Sequence, residues 1–128
     1  MELYNAASVL VDRAAITPTM SSSFDATMGA SKCNDGVMIT KTSTSETLCH
    51  TSATDSNPWL EMAYSCNIQL SSVKVYNRQA CCGERILKFK LESYVKGNVF
   101  ATYKFADAGA TALNVYTVDM KGGAHAHV

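Results

Sequence analysis

Apolar and polar positions alternate with a period of two through most of the second half of the chain. In the segment SSVKVYN, Val73 and Val75 share one face and the charged Lys74 lies on the other. The segments ILKFKLESY, NVFATYKF and ALNVYTVDM repeat this alternation. Because a strand turns successive side chains to opposite faces, these segments predict short β-strands with one buried face. Residues 71–77 and 86–94 are the clearest two.

The first half of the chain shows a different pattern. From residue 17 to residue 57 the sequence is crowded with Ser, Thr, Asp, Asn and Gly, as in TPTMSSSF and KTSTSETLCHTSATDSN. These side chains bond to nearby backbone groups in turns and loops. No segment shows the 3.6-residue period of an amphipathic helix over about ten residues. The pattern therefore predicts one all-β domain over residues 1–128, an antiparallel β-sandwich whose loops cluster at its two ends.

Composition and charge restrict the class of partner. The chain has 128 residues, of which 47% are apolar, and this suits one domain with a hydrophobic core. Eleven basic and eleven acidic residues cancel without a run of either sign, so we expect no nucleic acid partner. No apolar stretch is long enough to cross a bilayer, so membrane insertion is not expected. The N-terminus lacks the basic start and cleavage site of a signal peptide.

Five cysteines are many for a cytosolic domain of this length and indicate an oxidising compartment, so we expect an extracellular or surface-associated protein. Cys33, Cys49 and Cys66 are expected to be buried thiols or to form one bridge, rather than to bind a metal. Cys81 and Cys82 are neighbours, and a bridge between neighbours removes little entropy from the unfolded chain. This pair is therefore either two free thiols or a small sulfur surface.

The loop between the two clearest strands reads NRQACCGER and places Arg78 and Arg85 on either side of the cysteine pair. Guanidinium groups offer several donors in a rigid fork. A neutral His50, near the end of the long polar segment, is expected to add another donor at the same end of the sandwich. A neutral sugar needs fixed donors for its hydroxyl groups and an apolar plate under its ring. A disulfide between Cys81 and Cys82 would supply that plate.

The order H…NPW…VYNR-x-x-CCGER resembles the F-type lectins, a fucose-binding family with a discoidin-like jelly-roll fold. The segments MSSSF and ASKCNDG fall in the family's order as well, and the similarity covers residues 14–94. The resemblance implies a jelly-roll lectin that binds terminal L-fucose on glycans. It implies that His50, Arg78 and Arg85 hydrogen-bond the sugar and that the Cys81–Cys82 disulfide contacts the ring.

The resemblance has three further implications. A structural calcium ion lies under the binding loops of the family, in the region of ASKCNDG, which implies Asp35 as a calcium ligand. The family usually continues into a final strand, and this sequence stops at GGAHAHV, so we expect the usual final strand to be lacking. A single sugar site binds weakly, so homo-oligomers or tandem copies are expected to supply several sites.

Other interpretations stay open. Arg78 and Arg85 could be surface charges that pair with Glu84. Trp59, which follows the dipeptide NP, is expected to lie in the core. An enzyme is not expected, because no base–acid pair, paired carboxylates or cofactor motif accompanies the cysteines. The family has Asp two residues after its first Arg, where this chain has Ala80. That departure favours a second hypothesis, a structural or protein-interaction β-sandwich that has lost or altered its sugar binding.

Overall fold

The computed structural model describes residues 1–37, 39, 48–65 and 67–120. In this part of the chain, strands alternate with loops and short 3-10 helices. The strands are β1 (Glu2–Asn5), β2 (Ile16–Met20), β3 (Leu60–Tyr64), β4 (Leu70–Tyr76), β5 (Lys90–Val95), β6 (Asn98–Lys104) and β7 (Val115–Asp119). The 3-10 helices are Arg13–Ala15, Ala30–Asn34, Gly83–Lys88 and Phe105–Ala108.

The strands form antiparallel sheets. Strand β4 lies at the centre of a three-stranded sheet with the order β1-β4-β7, while β2 pairs with β3 and β5 pairs with β6. All four of these strand pairs are antiparallel. The all-β antiparallel architecture predicted from the alternation is thus confirmed.

The core lies on the inner face of the three-stranded sheet. Val73 of β4 is in register with Leu3 of β1 and with Val118 of β7, and all three side chains are fully buried. Tyr116 packs edge-on against Phe105, with ring centroids 5.0 Å apart. Full burial of one large apolar side chain contributes about 1.5–3 kcal/mol to stability. The buried side chains on this face of the sheet are therefore a main source of the stability of the fold.

Two boundaries differ from the sequence-based prediction. Strand β2 lies almost entirely in the segment expected to be irregular, where Pro18 and two threonines obscure the alternation. Among the described residues β2 pairs with β3 alone, and Pro is tolerated in a strand that is paired on one side. Residues 86–94 do not form one strand. The amide of Phe89 donates to the Ile86 carbonyl at 2.9 Å, which closes a 3-10 turn, and β5 begins only at Lys90.

Two expectations fall outside the described residues. The expected lack of a final strand concerns residues 121–128, and the partner of Cys66 concerns a residue that the structure does not describe. The last described strand, β7, ends at Asp119. Within residues 1–37, 48–65 and 67–120, no helix is long and apolar enough to cross a membrane.

The first strand belongs to the same core as the rest of the domain, which gives a stability prediction. Replacing the fully buried Leu3 by alanine is expected to lower the free energy of unfolding by about 2–5 kcal/mol, because it leaves a cavity between β1 and β4. Leu113→Ala is the matched control, since Leu113 is 45% exposed; it should change stability by less than about 0.5 kcal/mol. Urea unfolding measures both, and equal values for the two variants would contradict the packing of β1.

Candidate functional site

An open cavity of about 1270 Å³ is lined by the end of β4, the loop that follows it and the segment before β3. The structure places four of the five predicted sugar-site residues in the wall of this cavity: His50, Arg78, Cys82 and Arg85. Cys81 is exposed and does not line it. Residues 28 or more positions apart in sequence thus meet at one surface.

Asn77 fixes the loop after β4 to the sheet. Its Nδ2 donates to the carbonyl oxygens of Gly83 at 2.9 Å and Leu113 at 3.1 Å. Its Oδ1 accepts from the amide of Arg78 at 2.9 Å, and its own amide donates to the Asn114 carbonyl at 2.8 Å. Because one side chain satisfies three backbone groups, the loop has a defined shape before any ligand arrives.

The CCG sequence is explained by the backbone of this loop. A Cβ at Gly83 would lie 2.8 Å from the carbonyl oxygen of Arg78, so only glycine fits the close approach. Cys82 adopts the left-handed conformation with φ of 64°. The Arg85 amide then donates to the Cys82 carbonyl at 3.2 Å and opens the 3-10 helix. This turn brings Arg85 back toward the cavity that Cys82 lines.

Two disulfides flank the site. The sulfur atoms of Cys81 and Cys82 are bonded to each other, with Cα atoms 3.8 Å apart. Cys33 and Cys49 form a second bridge with a Cα separation of 5.1 Å. Of the two alternatives expected for these cysteines, buried thiols or one bridge, the structure shows a bridge for Cys33 and Cys49. Because Cys49 precedes His50, this bridge ties the histidine to the buried Cys33.

His50 is held by its backbone and by its ring. Its amide donates to the Met28 carbonyl at 3.0 Å, and its carbonyl accepts from the Phe24 amide at 2.8 Å. The Phe24 ring packs edge-on against the imidazole at 5.1 Å. Nδ1 lies 2.5 Å from the Thr51 carbonyl oxygen. Since a carbonyl only accepts, Nδ1 carries the hydrogen, and in the neutral ring Nε2 is then an acceptor. In this tautomer the one donor of a neutral His50 is committed to Thr51, and the role of His50 toward a sugar stays a prediction.

Arg78 is half-buried and its side chain is unengaged within the described part of the chain. Its Nε is buried and has no hydrogen-bond partner there. Neither Arg78 nor Arg85 forms an ion pair with a described residue, so the interpretation that they pair with Glu84 is not supported. An unsatisfied buried donor costs about 1–3 kcal/mol. An arginine whose buried Nε–H has no partner in the protein is suited to donate a hydrogen bond to a ligand.

Asp55 joins the two segments beside His50. Its Oδ2 accepts from the hydroxyl groups of Ser21, at 2.6 Å, and Ser22. The Ser22 oxygen in turn accepts from the Ser52 amide at 2.9 Å, and the Ser21 oxygen accepts from the Trp59 amide at 3.0 Å. The hydrogen bonds from Ser21 and then Ser22 lower the pKa of Asp55 below 3.8.

The depressed pKa of Asp55 gives a pH-dependent stability. Its charged form is favoured by folding, so the contribution is present above its ordinary pKa of 3.8 and is lost as pH falls through the lower folded pKa. Asp55→Asn is expected to lower the melting temperature at neutral pH, and the difference from wild type should vanish in acid. Thermal unfolding over this pH range measures it. Asp107→Asn, at an exposed site, is the control; an equal effect there would contradict the role of Asp55.

Trp59 lies in the wall of the cavity and not in the core, which corrects the sequence-based expectation. Its side chain is 49% exposed. Along β3 the buried positions are Met62 and Tyr64. By the period of two, Trp59 falls on the opposite face with the exposed Glu61. The apolar character of the indole suggested burial, whereas the register of β3 decides its position.

Tyr76 adds an uncharged hydroxyl group to the wall. It closes β4 and lines the cavity together with Glu2. Burial and the hydrogen bond with the Glu2 carboxylate raise the pKa of Tyr76 to about 12. The phenol therefore stays protonated at neutral pH.

The described residues do not assemble a cluster of acidic ligands for calcium. Asp35 lines the cavity, and its Oδ1 accepts from the Val37 amide at 2.9 Å. Calcium takes six to eight oxygen ligands. In the part of the chain that the structure describes, no three or more His, Cys, Asp or Glu side chains come together. The calcium site at Asp35 stays a prediction.

The fold is an antiparallel β-sandwich, and loops at one end of it line an open cavity. The sequence model of one protein family, described as NedA-like, galactose-binding domain, matches residues 32–128. The chain belongs to this family, and its fold is the discoidin-like β-sandwich that was predicted. Membership indicates carbohydrate binding in general, in a class of domains that are generally binding modules and not enzymes. Neither the curated proteins nor the solved structures include a significant match.

The residues before this match belong to the same sheets. Strand β1 pairs with β4, and strand β2 pairs with β3. The structural unit therefore includes both strands that precede residue 32.

Proposed function

We propose that this domain binds terminal L-fucose on glycans through His50, Arg78 and Arg85, and that the Cys81–Cys82 disulfide contacts the sugar. Support comes from the single cavity that the three polar residues and Cys82 line. The family's carbohydrate-binding character in general supports the same class of ligand.

The complementary hydrogen-bonding character of these side chains is the observation on which the proposal rests. A hydroxyl group donates one hydrogen bond and accepts up to two. Arg78 and Arg85 only donate, whereas a neutral His50, with Nδ1 committed to Thr51, accepts through Nε2. Two guanidinium donors and one imidazole acceptor can therefore satisfy one sugar hydroxyl completely.

The sulfur surface favours fucose over other hexoses with the same hydroxyl. L-fucose is a 6-deoxy-galactose, so it carries an axial 4-hydroxyl and a methyl group where galactose has a hydroxymethyl group. Sulfur is polarisable and weakly polar, and it packs well against apolar groups. Cys82 offers such a surface in the cavity wall. Galactose shares the axial hydroxyl, so the same polar contacts are consistent with the galactose-binding description of the family.

The charge of the cavity wall suits a neutral ligand. Both signs are present among its described residues: Lys32, Arg78, Arg85, Lys88, Lys90, Glu2, Asp35, Glu61 and Glu92. Lys90 and Glu92 pair with each other at 3.0 Å. Because no strong field of one sign results, binding should depend only weakly on salt concentration.

We infer an extracellular or surface location from the two disulfides, since such bonds persist in oxidising compartments. A single site of this kind binds with micromolar or poorer affinity, so we propose that homo-oligomers or tandem copies supply the avidity that adhesion to glycans needs.

Binding to immobilised glycans with and without terminal fucose tests the proposed function. The wild-type domain should bind the fucosylated set, and free L-fucose should compete, while glucose, whose 4-hydroxyl is equatorial, should not. If galactose competed as well as L-fucose does, the sugar site would stand, but the proposed preference for fucose would be contradicted. Absence of binding to every glycan would support the alternative, a structural or protein-interaction module in which Ala80 marks the loss of sugar binding.

A further inference from the structure

We infer that the site binds at least two linked sugars, with the Trp59 indole as the platform for the sugar next to the terminal fucose. This inference rests on the proposed function, because it assigns the first sugar to the arginines. It names a specificity-determining residue outside the set of polar contacts.

The size of the cavity is the first observation. It measures about 1270 Å³. Cavities of about 300–1,000 Å³ already enclose most of a drug-sized ligand, and a single hexose is smaller than such ligands. A monosaccharide bound at Arg78 and Arg85 would therefore leave much of the wall without contact.

The position of Trp59 is the second observation. The indole is 49% exposed in the cavity wall, and it approaches from the segment before β3, whereas the arginines approach from the loop after β4. Its backbone amide and its backbone carbonyl are both hydrogen-bonded to Ser21. The Trp59 amide donates to the Ser21 oxygen at 3.0 Å, and the Trp59 carbonyl accepts from the Ser21 amide at 3.0 Å. Asp55 fixes Ser21 in turn.

The chemistry of an exposed indole on a fixed backbone matches the face of a sugar ring. One face of a galactose-type pyranose is a patch of C–H groups, and an aromatic face packs against it at little cost in conformational entropy. The indole N–H can donate to a hydroxyl group of the same sugar. Phe89, which is 43% exposed, lines the cavity as well and gives the wall a second apolar surface.

Affinity for one sugar against two sugars tests the assignment. Calorimetry should show that wild type binds a fucosyl-galactose disaccharide more tightly than L-fucose alone. Trp59→Ala should remove about tenfold in affinity for the disaccharide, as expected for one well-packed aromatic contact, with little change for L-fucose. Trp59→Phe should restore part of the loss. Phe100→Ala is the matched control, because Phe100 is 44% exposed and does not line the cavity.

The chain contains one tryptophan, so its fluorescence reports directly on the platform. The disaccharide should shift or quench the emission of wild type more than L-fucose does. The inference would be overturned if Trp59→Ala lost affinity for the disaccharide and for L-fucose equally, or if both ligands changed the fluorescence equally. The fucose site itself would then remain. Failure of wild type to bind L-fucose at all would instead overturn the proposed function.

Discussion

Arg78→Ala is expected to abolish measurable binding to fucosylated glycans. Arg78 is half-buried, and within the described residues its side chain has no other partner, so a ligand is its expected hydrogen-bond partner. Each hydrogen bond from a charged donor contributes about 1.5–3 kcal/mol, and loss of two would lower the affinity at least about 100-fold. Arg78→Lys should bind weakly, because an ammonium group keeps the charge and loses the fork. Calorimetry with L-fucose measures both variants.

Arg13→Ala is the matched control for this experiment. Arg13 is exposed and does not line the cavity, so its removal should leave the affinity unchanged. Urea unfolding of all three variants separates a lost contact from a damaged fold. Wild-type affinity in a folded Arg78→Ala variant would contradict the proposed role of this arginine.

The second large effect is a separation of roles between the two disulfides. Replacing Cys81 and Cys82 by serine should lower the affinity for L-fucose about tenfold or more, because the sulfur surface is lost and the loop at Cys82 is released. Stability should change little, since a bridge between neighbours constrains few states of the unfolded chain. Replacing Cys33 and Cys49 by serine should instead cost about 3 kcal/mol of stability, because that bridge closes a loop with a sequence separation of 16.

Binding assays and urea unfolding on the two double variants decide between these roles. Mass spectrometry without prior reduction provides the chemical control: a peptide that holds Cys81 and Cys82 should resist alkylation. Alkylation of both thiols, or loss of stability and not of binding in that variant, would contradict the sulfur surface.

The sequence predicted best those strands whose two faces meet different surroundings. In β4, the buried Val73 and the partly exposed Lys74 alternate as their hydropathy indicates. Strand β1 was not predicted, because four residues are too few for a period of two to show. The last three residues of the 3-10 helix Gly83–Lys88 fall in the segment predicted as strand, since Ile86 and Leu87 carry no mark of a three-residue turn.

The candidate site was predictable where its residues are close in sequence. Arg78, Cys82 and Arg85 lie on one loop, and their spacing was visible. The role of Asp55 was not, because its partner Ser21 lies 34 residues away. The acceptor character of His50 depends on the position of one carbonyl oxygen, and no sequence pattern encodes that.

The central place of β4 has a consequence for synthesis on the ribosome. Its two neighbours are separated by more than a hundred positions along the chain, Glu2–Asn5 on one side and Val115–Asp119 on the other. The loop with the arginines is fastened through Asn77 to Leu113 and Asn114. A nascent chain therefore acquires its ligand-binding surface only after β7 has left the exit tunnel, and pairing across such a span is intrinsically slow. Until β7 has paired with β4, the loop that contains Cys81 and Cys82 does not have its final conformation.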